Sequence, residues 1–480
     1  MDAPASTTTD IPSARFGQAV FPVLTLALLV VYGLIVRPQL LGQPAFPLEV
    51  IFILASCAAV AHLVLMGHRW ADIERTIVSK FNFAMPAFFI LLSIGLVIGS
   101  WIICGTIPML VYWGLQIIDP RYLYALCFVL PAIFSTLTGT SWGSAGTIGV
   151  VLMGIATALD ANLGIAAGAI IGGSFFGDKL SPLSDTTSLA ALAAEVDLYA
   201  HVRSMLWTTV PSALMALGIF WWMGFVHPPK MQGGELAQLE PFLAKLKELF
   251  HFSPLLLAPP LIVLYGSVRQ LPTVPVLLAS VLVACLLTLV MQRFSISDVA
   301  LTLHKGFDCR MASWVKDVPP EITKLLNRGG LYALSEAVII AFTVFVFIGT
   351  MDHIKAMPTV VNRLVGSVQS QPGTVVATLA ATGITNAMTS NQYATSFIIG
   401  DAFKPKFDAL RIPRPVLSRS LEDTGTMIES IIPWHASTVY MVATLGVPYA
   451  EYWHWQLLTW INIPVAILLA LTGIGCRYGR

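Results

Sequence analysis

Gly172-Gly173-Ser174-Phe175-Phe176-Gly177-Asp178-Lys179-Leu180-Ser181-Pro182-Leu183-Ser184-Asp185-Thr186-Thr187 sets two carboxylates, one ammonium and five hydroxyls among membrane-length apolar segments. An ionised group in such a place costs about 2.5–3.5 kcal/mol on insertion scales. The glycines and Pro182 are expected to interrupt the helix and to free backbone carbonyls as further oxygen ligands. Apolar surroundings, a broken helix and oxygen-rich side chains together point to an ion or substrate site.

The 480-residue chain is 56% hydrophobic and only 11% charged, with a mean hydropathy of +0.77. Soluble domains carry about 25% charged residues. Apolar segments of roughly 17–24 residues recur along the chain, each long enough to cross a ~30 Å hydrocarbon core as a helix. Spanning strands would show apolar/polar alternation in ~10-residue pieces, and that pattern is absent. The expected fold is an all-α polytopic membrane protein with about ten to twelve transmembrane helices.

Several function classes drop out. No basic run interleaves with aromatics, so nucleic acid is not expected as a partner. The six cysteines show no CxxC or metal-type spacing, and no cofactor is expected. There is no G-x-x-x-x-G-K-[ST] and no H-E-x-x-H, so an enzyme is not expected. Residues 1–18 read as a polar tail. The apolar run after it is long for a signal-peptide core and reads as a retained first span.

The pattern repeats. A first transmembrane repeat is expected over 19–226, with a break at Gly105-Thr106-Ile107-Pro108 and the small-residue tract 138–147. A polar insert with a surface helix follows at 227–253, where Leu236, Leu239, Phe242, Leu243, Leu246 and Leu249 fall at helical spacing. A second repeat is expected over 254–475. In it Met357-Pro358 opens a shorter helix and Thr389-Ser390-Asn391-Gln392 breaks another. Glu429-Ser430-Ile431-Ile432-Pro433-Trp434-His435-Ala436-Ser437-Thr438 then sets out like 178–187: acid, proline, polar residue, paired hydroxyls. Paired broken segments or re-entrant hairpins in two halves point to a transporter's central site. The basic residues of 292–331 and 404–419, Arg419 among them, place those loops in the cytoplasm by the positive-inside rule. Strict inversion of the repeats would put loops 67–84 and 292–331 on opposite sides, and the charge bias does not separate them.

Na⁺ takes several oxygen ligands, and a proton takes a carboxylate or imidazole. A buried aspartate holds one or the other, the simplest basis for antiport. Asp178 and Asp185 are the leading residues for Na⁺ and H⁺, with Ser181, Ser184 and Thr186 as supporting oxygens. An Asp178–Lys179 pair that neutralises both is the structural alternative. In the second half, Asp423 and Glu429 are the ionisable candidates. Thr140, Ser141, Lys179, Ser390, Asn391, Gln392, Glu422, Thr424 and His435 are the supporting or substrate-facing set. For Glu422 the alternative is a helix cap near water, and for Asn391 and Gln392 interhelical hydrogen bonding. His435 is placed to titrate near neutral pH. Oxygen rings also line channels; duplicated broken helices with titratable acids favour alternating access.

The stretch 177–187 closely resembles the signature of the NhaC-type Na⁺/H⁺ antiporters. Gly139-Thr140-Ser141-Trp142-Gly143-Ser144-Ala145-Gly146-Thr147-Ile148-Gly149, Leu417-Ser418-Arg419-Ser420-Leu421-Glu422-Asp423-Thr424-Gly425-Thr426 and Ile432-Pro433-Trp434 match it too. The resemblance implies a secondary transporter of the bacterial inner membrane, surrounded by lipid, that exchanges Na⁺ or Li⁺ for H⁺. The malate–lactate branch shares the signature, so a transporter of a small organic acid or amino acid is the alternative. A homodimer is compatible with either. Two departures stand out: Asn391 where relatives often carry an acid, and Glu429 where a small or neutral residue is expected.

Overall fold

The computed structural model describes residues 15–229, 236–366, 368–476 and 478. Most of the expected tail at 1–18, and residues 230–235 of the insert, lie outside them. Nine helices among the described residues are long and apolar enough to cross a membrane, and eleven if each of two bent pairs counts as one span. No strand occurs among the described residues. This is the polytopic all-helical fold expected from composition.

Local chemistry explains the helix boundaries. Gly105 adopts φ +90° and separates the helix Trp70–Ile103 from Thr106–Ile117, dividing an apolar block too long for one span. The polar stretch after Gly67 is helical from Trp70 onward, because nothing between there and Ile103 except Pro86 breaks a helix. In the insert, the helix Leu236–Leu249 buries Phe242, Leu246 and Leu249 and exposes Lys247 and Glu248. It turns by 89° into the next span.

The chain forms two compact units. One groups the described residues of Met1–Ala84 with Phe342–Val368, the other Met85–Ala341 with Gln369–Arg480. In the first, the His353 ring meets Thr76 Oγ1 at 3.0 Å and His68 Nδ1 at 3.1 Å, and Lys80 pairs with Asp352 at 2.9 Å. Every candidate site residue belongs to the second.

Within the second unit, contrary to expectation, Gly172, Gly173 and Gly177 do not interrupt the helix: Leu163–Leu180 is continuous and ends only before Ser181-Pro182. It runs closely along Leu123–Thr138, where the glycines serve packing instead. The approach depends on Gly173 and Gly177: a Cβ on either would lie 2.0 Å from Phe128 O or 2.4 Å from Ala132 O. Small residues four apart give such contacts between membrane helices. Asp178 stands one residue beyond this contact, so the packing that needs Gly177 also fixes the acid.

Two helix breaks share one backbone form. Leu123–Thr138 ends at Gly139 (φ +71°), Thr140 is extended, and Ser141–Ser144 restarts the helix. Gln371–Thr389 ends at Ser390 (φ +47°), Asn391 is extended, and Gln392–Ala409 follows. Each extended residue caps the new helix: Thr140 Oγ1 accepts from Gly143 N at 3.2 Å, Asn391 Oδ1 from Ala394 N at 2.8 Å.

Candidate functional site

Asp178 is buried near the C-terminal end of Leu163–Leu180. Its Oδ2 accepts from both the backbone N–H (3.0 Å) and the hydroxyl (2.6 Å) of Ser141, the first residue after the break. Its Oδ1 is buried without a hydrogen-bond partner. One carboxylate oxygen is therefore fixed by the neighbouring break; the other makes no hydrogen bond, with the Ser184 hydroxyl in reach of the carboxylate. An orphaned buried acceptor costs about 1–3 kcal/mol, more when charged.

The adjacent lysine does not neutralise it. Lys179, fully buried, donates to Asp423 Oδ1 at 2.5 Å. Consecutive helix residues point to different sides, so the Asp178–Lys179 pair does not form. Thr208 Oγ1 (2.7 Å) and Asn462 Nδ2 (3.2 Å) also donate to Asp423 Oδ1, and Arg419 Nε lies 3.6 Å from Oδ2. Asp423 Oδ1 thus takes three donors, and Oδ2 faces the Arg419 guanidinium. Arg419 is 1% exposed, so it leaves the set of loop charges and joins the core.

Glu422 is also fully buried, which removes the reading as a cap near water. Thr426 Oγ1 donates to its Oε2 at 2.6 Å while Oε1 has no partner. Glu429 Oε2 accepts from Ser437 Oγ at 2.6 Å and Oε1 from Asn386 Nδ2 at 3.4 Å. His435 Nε2 lies 4.0 Å from Glu429 Oε1 and 3.3 Å from Asn386 Oδ1. His435 Nδ1 accepts from Ser437 N at 3.1 Å, so Nε2 carries the proton, and the ring serves as a helix cap.

The two acid motifs repeat each other in hydrogen bonding as well as in sequence. Thr187 Oγ1 donates to the carbonyl of Asp178 at 3.3 Å, and Thr438 Oγ1 to that of Glu429 at 2.6 Å, each nine residues on. Ser184 and His435, both six residues after their acid, cap the helices Asp185–Ala193 and Ala436–Leu445. The same chain distance separates Thr140 from Asp178 and Asn391 from Glu429.

The remaining candidates take supporting or peripheral places. Ser181 Oγ donates to Thr136 O at 2.9 Å, and Ser184 Oγ meets half-buried Thr186 Oγ1 at 3.0 Å. Asp185 is exposed at the start of its helix and accepts from Tyr393 Oη, within electrostatic range of Asp178. Gln392 bridges Leu421 O (2.9 Å) and Asn386 (3.2 Å), Ser390 Oγ accepts from Ala436 N at 2.9 Å, and Thr424 Oγ1 donates to Leu379 O at 2.8 Å.

Sequence reading did not single out Asn386, Thr208, Asn462 or Tyr393, and it quoted Ser437 and Trp142 within motifs without a partner for either. Asn386 donates to Glu429, Gln392 and Gly425 O together. A signal existed for Arg419, which precedes Asp423 by one helical turn. None existed for Thr208 or Asn462, ordinary residues of apolar spans.

Comparison with known proteins identifies the family of the chain. The family model described as "Na+/H+ antiporter family" matches residues 173–474. An uncharacterized Na⁺/H⁺ antiporter of Haemophilus influenzae is 38% identical over 462 residues, covering 95% of this chain and 96% of that one. The Na⁺/H⁺ antiporter NhaC of Alkalihalophilus pseudofirmus is 32% identical, over 90% of this chain and 91% of its own. The malate-2H⁺/Na⁺-lactate antiporter of Bacillus subtilis is 30% identical, over 85% and 86%.

Proposed function

This chain belongs to the NhaC-type Na⁺/H⁺ antiporter family, and we propose that it exchanges Na⁺ for H⁺ across the bacterial inner membrane with Asp178 holding either ion. The observation that carries the assignment to Asp178 is its open Oδ1 beside a lysine already committed to Asp423. A buried carboxylate with no resident counter-charge is strongly disfavoured as an anion. It is relieved by a proton or by Na⁺, one excluding the other.

The wider cluster has the same need. Lys179 and Asp423 cancel, which leaves Asp178, Glu422 and Glu429 buried with the guanidinium of Arg419. With all three acids ionised, negative charge is in excess, and bound cations or protons offset it. Ser141 holds Asp178 Oδ2 in either state, so exchange at Oδ1 need not dismantle the helix break. Asp185, exposed, is suited to attract cations toward the site rather than to hold one in a dry cavity.

A second reading is an organic-acid transporter driven by the same cation site, favoured by the similarity to the Bacillus subtilis malate–lactate protein. In that reading Lys179, Asn391 and the neighbouring hydroxyls meet the substrate carboxylate, and of these Lys179 is held by Asp423. Dequenching of a pH dye in everted vesicles on adding Na⁺, Li⁺ or K⁺, with and without malate or lactate, separates the two. A Na⁺ response without organic acid is expected, and a response that requires the acid would replace the first reading with the second.

A further inference from the structure

Each helix break carries an aromatic residue two positions after its capping residue: Trp142 after Thr140, Tyr393 after Asn391. Both reach by hydrogen bond into the acid motif of the other half of the sequence. Trp142 Nε1 donates at 3.2 Å to Ser437 Oγ, which in turn donates to Glu429 Oε2 at 2.6 Å. Tyr393 Oη donates to Asp185 Oδ2, in the motif of Asp178. The acceptors lie one position apart in the aligned motifs, Asp185 opening the helix that follows its acid and Ser437 second in the other.

Further contacts hold each crossing. The Trp142 and Tyr440 rings stack with centroids 4.3 Å apart, and Tyr440 Oη donates to Trp142 O at 2.6 Å. The Tyr393 helix packs against Asp185–Ala193, with Gly400 so close to Ala193 that a Cβ would lie 2.7 Å from its carbonyl oxygen.

We propose that Tyr393 and Trp142 are reciprocal positioning residues, each lent by one half's break to fix the acid motif of the other half. Tyr393 acts through Asp185 on cation capture at the Asp178 motif, and Trp142 acts through Ser437 on Glu429. Neither motif opens without moving the break of the opposite half, so the two acids change state together. This rests on the assignment of cation binding to these motifs given above.

The test is a pair of double-mutant cycles in proteoliposomes, reading KM for Na⁺ and kcat separately. A hydrogen bond to a charged group carries enough energy for an effect of about tenfold. Tyr393→Phe should therefore raise KM for Na⁺ by about tenfold and do almost nothing further in an Asp185→Asn background. Trp142→Phe keeps an aromatic ring for stacking, and its effect should likewise vanish in a Ser437→Ala background. Equal effects of Tyr393→Phe or Trp142→Phe in both backgrounds would overturn the proposal. Asp178→Asn is run alongside: a normal Na⁺ response there overturns the underlying assignment, whereas a lost response with additive cycles overturns only the reciprocal positioning. Monodispersity of each variant in detergent separates these results from misfolding.

Discussion

Lys179 passes over its sequence neighbour Asp178 and closes on Asp423 at 2.5 Å, both side chains being inaccessible to solvent. The pair joins two elements far apart in sequence, and it decides the chemistry of the site. Because the ammonium is committed, Asp178 keeps an open oxygen and no counter-charge.

The pair should be costly to break from one side and tolerant of joint neutralisation. Lys179→Met removes the closer of two buried cations at Asp423 and leaves Arg419 Nε at 3.6 Å; breaking a buried pair from one side costs about 3–5 kcal/mol. Adding Asp423→Asn keeps an acceptor for Thr208 and Asn462 and removes the carboxylate that has lost its closest cation, while Arg419 keeps its contacts with Gly475 O and Cys476. The double variant should therefore melt at a higher temperature in detergent than Lys179→Met alone. A double variant less stable than the single would show that the pair is not what Asp423 needs.

Glu429 stands where the repeated pattern puts Asp178's counterpart, and it is held by Ser437 and Asn386. Glu429→Gln removes its charge while retaining its shape. Na⁺-dependent proton flux should fall, with KM for Na⁺ raised about tenfold, the equivalent of one charge-assisted hydrogen bond. Unchanged flux and cation affinity would remove Glu429 from the exchange cycle.

How far the sequence reveals this depends on chain distance. Helix breaks are local events, so Gly139-Thr140 and Ser390-Asn391 were visible as Gly, Ser, Thr and Asn in apolar runs, and helices end there. The match of 178–187 with 429–438 was also visible, down to threonines that donate to their acids' carbonyls. Partners across the fold were not. Nothing near Lys179 announces Asp423, and nothing near Tyr393 announces Asp185, because apolar packing of distant segments chooses those pairs. The same limit misplaced Arg419: a basic residue after a basic stretch looks like loop until Asp423 draws it inward.

A surface cluster offers a pH prediction of known sign. Lys404 and then Arg414 donate to Glu195 and hold its carboxyl below the usual glutamate value, while Arg414 does the same to Asp408 from 2.8 Å. These contacts tie the turn after Asp185–Ala193 to the turn before Arg414–Ser420. Carboxylates with lowered pKa keep their contribution above the ordinary value and lose it as pH falls through the folded one. Hydrogen exchange at 194–197 and 410–414, referred to intrinsic rates, should stay flat from neutral pH down to the ordinary carboxylate range and rise only below it. A rise already complete by about pH 6 would contradict the assignment.

The central claim is that the open oxygen of Asp178 carries the exchanged ion. Its most direct test is radioactive Na⁺ uptake into proteoliposomes driven by an imposed pH gradient with no organic acid present, comparing the wild-type chain with Asp178→Asn. The wild type should accumulate Na⁺ and the variant, incorporated to the same level, should not rise above empty liposomes. Gradient-driven uptake by Asp178→Asn at the wild-type rate would contradict the claim.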